Sequence, residues 1–191
     1  MAEKHVEVTV SKEVIDRAIA EITPNLDKIG LRGGFNGNDL QKILGRIGEI
    51  KAGEYLGLPI LGVNSDGSPD KGDIVQNGMA IDAKTSFSTV YRDRGIVPRK
   101  WGLLIPDSQF QFRSFDYYIR CAVDSHDPRM VTKLCFVGVC TKETVAELAE
   151  VEPWRCKQPI ECTVMMRVVK ELHTFSIREL KKRLEYSAAK V

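Results

Sequence analysis

Two apolar patterns of different period follow one another between residues 39 and 86, and this succession restricts the fold more than any other feature of the chain. The stretch "DLQKILGRIGEIKAGEYL" repeats apolar residues three and four positions apart, which predicts an amphipathic helix. Its apolar stripe consists of Leu40, Ile43, Leu44, Ile47 and Ile50. Next come "DIVQN" and "MAIDAKT", two short strand patterns joined by a tight turn. We therefore expect helices and strands to share one core.

The rest of the chain repeats both kinds of pattern. "SKEVIDRAIAEI" predicts a helix that follows Ser11 and ends at Thr23, and "PILGVN" predicts a short strand. "FDYYIRCAV" and "KLCFVGVC" predict central strands, whereas residues 88–109 are predicted to be irregular. Thr141 and Ser176 precede two further helical patterns as caps. Helices on both sides of a compact set of strands predict an α/β fold with a central mixed β-sheet.

Length and composition indicate one ordinary globular unit. The chain has 191 residues, of which 43% are hydrophobic and 28% are charged, so we expect a single domain over residues 1–191. No apolar run approaches the ~18 residues that span a bilayer, and the first residues lack a secretory pattern. The five cysteines form no CxxC pair, which is typical of reduced thiols. We therefore expect a cytoplasmic protein that does not bind membranes.

A charged pair within the second strand of the hairpin suggests chemistry. Asp82 and Lys84 lie two positions apart, so a strand would direct them to one face, and Asp73 opens the neighbouring strand. Two carboxylates brought together repel each other unless a cation lies between them, and oxygen ligands favour Mg²⁺. A bound metal ion can activate water for attack on a phosphate, with a lysine nearby. The alternative is a surface ion pair without a function.

The preceding helix offers a third carboxylate, Glu49. It lies away from the main apolar stripe, beside a second face formed by Gly45, Gly48, Ala52 and Leu56. Small residues on that face would allow the helix to approach the sheet closely and bring Glu49 to the metal. The alternative is a solvated glutamate in a helix-surface pair, and Glu54 on the same helix is a rival.

The ordered set "GRIGEIKAGEYLG" and "GDIVQNGMAIDAK" resembles the PD-(D/E)xK, or restriction-endonuclease-like, nuclease superfamily over residues 39–86. The resemblance implies an α/β/α core over residues 37–191, preceded by a helical extension over residues 1–36. It implies a catalytic set of Glu49, Asp73, Asp82 and Lys84. Mg²⁺, for which Mn²⁺ substitutes, would be held by Asp73, Asp82, Glu49 and the carbonyl of Ala83. Asp70, in a literal Pro-Asp pair, competes with Asp73 for the role of ligand.

The activity implied by the resemblance is Mg²⁺-dependent endonucleolytic cleavage of DNA by a homodimer. Because the net charge is only +2, a nucleic-acid partner would need a local basic patch, and the segment after the hairpin supplies one. We expect phosphate contacts there from Tyr91, Arg92, Arg94, Arg99 and Lys100, with Trp101 as a stacking or anchoring residue. Two alternatives remain: a catalytically inactive module that binds nucleic acid, and a nuclease acting on branched DNA or RNA.

Overall fold

The structure, a computed structural model, describes residues 5–25, 39–62, 73–76, 78–88, 102–112, 115–156 and 162–188. The helices are α1 (Lys12–Ile22), α2 (Asp39–Leu56), α3 (Asp107–Phe112), α4 (Lys142–Leu148) and α5 (Ile177–Ala188). The strands are β1 (Val6–Thr9), β2 (Ile74–Gln76), β3 (Met79–Phe87), β4 (Leu103–Pro106), β5 (Tyr117–Val123), β6 (Lys133–Thr141), β7 (Glu150–Cys156) and β8 (Cys162–Val169). Single 3-10 turns lie at Thr23–Asn25, Pro128–Met130 and Glu171–His173.

The main sheet has five strands in the order β1-β6-β5-β3-β2. Strand β3 is antiparallel to β2 and parallel to β5, while β6 is antiparallel to both β5 and β1. Asp116 fixes the start of the parallel pair, since its carboxylate accepts the N–H of Ala80 at 2.7 Å and its own N–H donates to the Ala80 carbonyl. The strand that carries Asp82 and Lys84 is therefore held on both sides.

A second, antiparallel sheet has the order β4-β8-β7. It contributes to a small core that includes Leu103, Ile105 and Tyr118, with Ala80 of β3 packed against it. The larger core joins the opposite face of β3, through Ile81 and Ala83, to helices. Its helical members come from α1, α2 and α5 and include Val14, Ile15, Ala18, Ile43, Leu44, Ile47, Ile50, Ile177 and Leu180. The main sheet thus separates a helical layer from the second sheet.

The structure confirms a mixed α/β fold and the predicted helices α1, α2, α4 and α5. Strands β2, β3, β5 and β6 are also at the predicted positions, and β5 and β6 are buried inside the sheet as expected. The predicted strand at "PILGVN" is reduced to one bridge, between Ile60 and Ile74, within the described residues. The structure adds β1, which we did not predict within residues 1–36, and the whole second sheet.

Two further predictions can be compared with the described part of the chain. Residues 103–109, within the stretch 88–109 that was expected to be irregular, form β4 and the first part of α3, because the apolar run Leu103–Pro106 pairs with β8. Cys121, Cys135 and Cys140 are buried and form no disulfide, in agreement with the reduced thiols expected from the sequence. None of the described helices combines the length and apolarity needed to cross a lipid bilayer.

Candidate functional site

Helix α2 carries Glu49 and approaches β3 closely. A Cβ atom added to Gly48 would lie 1.8 Å from the Thr85 hydroxyl oxygen and 3.0 Å from the Thr85 Cβ, so only glycine fits at this contact. The expected small-residue face is thus confirmed at Gly48, whereas an added Cβ at Gly45 meets no atom within 4 Å. Gly57, with φ of +72°, then ends the helix. The close contact brings the residue after Gly48, Glu49, to the strand that carries Asp82.

The β2–β3 hairpin places Asp73 against the middle of β3. Gly78 takes a φ of +81° in the two-residue connection between the paired residues Gln76 and Met79, a conformation that favours glycine. The N–H of Asp73 donates to the Ile81 carbonyl at 2.9 Å. Its carboxylate accepts the N–H of Ala83 at 2.6 Å. Asp73 is therefore anchored beside Asp82 through both its backbone and its side chain.

Asp82 and Lys84 form a direct ion pair. The Lys84 Nζ lies 2.9 Å from each carboxylate oxygen of Asp82. Asp82 is only 2% exposed, so this is not the solvated surface pair that was the alternative to a functional site. Tyr118, opposite Asp82 on β5, is also buried, and its pKa is raised to about 12 by burial and by the Asp82 charge. A charged carboxylate in such surroundings lowers the stability of the fold unless positive charges close to it compensate for its lost hydration.

The three carboxylates lie within electrostatic range of one another. Burial raises the pKa of Asp73 well above its usual range, and repulsion from Glu49 and Asp82 raises it further. Burial also raises the pKa of Glu49. The Arg46 guanidinium lowers this pKa, and the negative charge of Asp82 offsets part of that lowering. The Lys84 ammonium acts in the opposite direction on both groups. The structure therefore brings together Glu49, Asp73, Asp82 and Lys84, which the sequence analysis selected from separate elements.

A second cation at this site, Arg46, was not predicted. Its guanidinium is 3% exposed and donates through Nη1 to Glu49 at 2.7 Å. Through Nε and Nη2 it also contacts one carboxylate oxygen of Glu21 on α1, each at 2.5 Å. Burial lowers the pKa of Arg46, but Glu49 and Glu21 outweigh this effect and raise it. The three-residue spacing of Arg46 and Glu49 on one helix was the signal that could have identified this pair.

The remaining predicted residues separate into two groups. Glu54, the rival of Glu49, is about half exposed and pairs with Lys51 at 2.6 Å, as expected for a helix-surface pair. Asp70 lies outside the described residues, so the choice between Asp70 and Asp73 as ligand stays a prediction. The proposed nucleic-acid contacts Tyr91, Arg92, Arg94, Arg99 and Lys100, together with Trp101, also lie outside the described residues.

The chemistry of the carboxylate set fits a hard divalent cation. Asp82 raises the pKa of both Asp73 and Glu49, and Glu49 raises that of Asp73, so negative charge is concentrated here, and oxygen donors are the ligands that Mg²⁺ prefers. Lys84 and Arg46 supply the positive charge that faces them here. Across the described ranges, no three His, Cys, Asp or Glu side chains are arranged as a ready metal site. Ala83 contributes its N–H to Asp73, and a ligand role for its carbonyl stays a prediction.

Comparison of the chain with protein-family models, with curated proteins and with solved structures finds no match.

Proposed function

We propose that this protein is a divalent-metal-dependent nuclease that hydrolyses phosphodiester bonds in DNA. The observation that carries the proposal is the set of buried Asp82 and partly buried Asp73 and Glu49 beside the Lys84 ammonium. Buried carboxylates that repel one another lower the stability of a fold, and such arrangements are concentrated at functional sites. A restriction-endonuclease-like relationship and a homodimeric assembly are parts of the same proposal.

In this function each side chain has a distinct task. Asp73, Asp82 and Glu49 provide oxygen ligands, and the carbonyl of Ala83 is a further candidate ligand. A divalent cation held there would supply positive charge for the phosphate and would lower the pKa of a water bound to it. Lys84 donates hydrogen bonds that orient the attacking water and stabilise negative charge on the phosphate oxygens. The water oxygen would give up one proton to solvent as it bonds to phosphorus, the bond to one sugar oxygen would break, and the leaving oxygen would take up a proton from solvent.

A cleavage assay tests the proposal. The purified chain is expected to nick or cut DNA with Mg²⁺ or Mn²⁺ and to lose this activity in EDTA. Asp82→Asn and Lys84→Ala should each abolish cleavage while the far-UV circular dichroism spectrum stays that of the wild type. Lys133→Ala is the matched control for Lys84→Ala, because Lys133 also forms a 2.9 Å ion pair, with exposed Glu7 at the other side of the sheet. Full cleavage by both site variants would refute the assignment.

The second candidate function is a nuclease-like module that binds nucleic acid without cutting it. It is favoured by the ion pairs of Lys84 and Arg46, which already supply the carboxylates with positive charge. Such a module would bind DNA equally well in EDTA and with Mg²⁺, and would never produce a nick. Assays on duplex, single-stranded and four-way junction DNA, and on RNA, distinguish both functions from a nuclease that prefers branched DNA or RNA.

A further inference from the structure

Arg46 is a buried arginine in direct contact with Glu49, a carboxylate of the candidate site. Its contacts differ at its two ends: Nε and Nη2 both meet Glu21, while Nη1 meets Glu49. Glu21 is held in turn by Arg17, whose Nε donates to its other carboxylate oxygen at 2.7 Å. The guanidinium is therefore held by α1 through Nε and Nη2, and it donates to Glu49 through Nη1.

This arrangement limits where the Glu49 carboxylate can lie. A guanidinium is planar, and its donors have fixed directions, so a group clamped at Nε and Nη2 offers Nη1 at a defined position. Glu49 accepts that hydrogen bond at 2.7 Å and still lies near Asp73 and Asp82. A lysine, with one compact ammonium group, could not hold Glu21 and Glu49 in the same geometry.

We infer that Arg46 is a positioning residue, which holds Glu49 in the carboxylate set and is itself aligned by Glu21 of helix α1. The inference rests on the proposed function, because it concerns the affinity of the same carboxylates for a divalent cation. It adds α1 to the functional unit, although α1 supplies no ligand. Residues that orient ligands in this way typically change metal affinity or activity by about 10- to 100-fold when they are replaced.

The test is calorimetric titration of the full chain with Mn²⁺, together with DNA cleavage. Arg46→Met should weaken Mn²⁺ binding by about 10- to 100-fold, and Arg46→Lys should restore part of the loss. Glu21→Gln should weaken binding in the same direction but by less. Lys12→Met is the matched control, because it removes a 2.9 Å ion pair with Asp16 on the same helix without changing a partner of Glu21 or Arg46, and its affinity should stay that of the wild type.

A double substitution separates positioning from general destabilisation. If Arg46 acts through Glu49, adding Arg46→Met to Glu49→Gln should weaken Mn²⁺ binding no further. If Arg46→Met does not fold, Glu21→Gln and Arg46→Lys decide the question. Suppose that the wild type binds Mn²⁺ and cleaves DNA. If Glu21→Gln and Arg46→Lys then both bind Mn²⁺ with wild-type affinity, this inference alone is overturned. A wild-type chain that neither binds Mn²⁺ nor cleaves DNA would overturn the proposed function and this inference together.

Discussion

Helix α2 carries two ion pairs with the same three-residue spacing in different surroundings. Arg46 and Glu49, 2.7 Å apart, are 3% and 21% exposed, whereas Lys51 and Glu54, 2.6 Å apart, are 15% and 47% exposed. The first pair lies near Asp82 of the hairpin, whereas the carboxylate of the second is about half exposed. The two pairs have the same spacing and nearly the same distance, so the difference in their burial comes from the segments packed around the first pair, which are the hairpin and helix α1.

The largest expected difference between the two pairs is in their contribution to stability. Arg46→Met leaves Glu21 and Glu49 without their shared buried cation, and breaking a buried ion pair in this way costs about 3–5 kcal/mol. Lys51→Met removes an exposed helix pair, which costs about 0.2–0.5 kcal/mol. Urea denaturation at pH 7 measures both free energies of unfolding. Equal losses in the two variants would contradict the distinction between the pairs.

Substitution by alanine should change the stability of the fold in opposite directions at Gly48 and Gly45 of α2. Gly48→Ala forces a methyl group into Thr85, and overpacking of this kind costs about 1–3 kcal/mol. It should also lower cleavage activity, because relief of the clash moves Glu49 away from β3. Gly45→Ala meets no atom within 4 Å and should stabilise the helix by up to about 1 kcal/mol. Thermal unfolding of the two variants side by side measures the contrast, and a stabilised Gly48→Ala would show that α2 does not lie this close to β3.

The pH dependence of stability should distinguish Asp73 from an acid on the surface. The unfolded chain ionises Asp73 near a pKa of about 3.9, whereas burial and then the charges of Glu49 and Asp82 raise the pKa in the folded chain. Between these two values the folded state keeps a proton that the unfolded state has lost, so stability falls as the pH rises. The contribution of protonated Asp73 to the free energy of unfolding is fully present below about pH 3.9, and it is lost as the pH rises through the pKa of Asp73 in the folded chain.

Asp73→Asn removes this dependence. In EDTA, the variant should gain stability over the wild type as the pH rises, by about 1.4 kcal/mol for each pKa unit that separates the folded and unfolded values. Urea denaturation between pH 3.5 and pH 8 measures the gain. Asp16→Asn, in the exposed ion pair between Asp16 and Lys12, is the control, and its profile should follow that of the wild type. If the free energies of unfolding of Asp73→Asn and the wild type change in parallel with pH, the pKa of Asp73 is not raised in the folded chain.

The sequence predicted those parts of the fold and site that depend on short-range patterns. The period of the apolar residues located α2, and the turn at Gly78 located the β2–β3 hairpin. The alternation of strand residues placed Asp82 and Lys84 together, and they are 2.9 Å apart. Each of these features is set by neighbours within a few residues along the chain.

The features that the sequence did not predict depend on contacts between distant segments. Arg46 and Glu21 are 25 positions apart, and their contact follows from how α1 packs on α2. Strand β1 is only four residues long and is recognisable through its pairing with β6. Strand β7 contains Pro153 and two glutamates, an unusual strand composition, and its place in the second sheet is defined by β8. No local pattern carries this information.

The larger core joins Val6 of β1 and Leu184 of α5 to Ile47 of α2 in one buried cluster. The helix and hairpin that bear the carboxylates therefore leave the ribosome long before the last helix that packs beneath them. Contacts between residues so far apart along the chain are slow to form, and domains with many such contacts fold slowly. A nascent chain would thus hold its acidic side chains in incomplete surroundings until synthesis has passed Leu184.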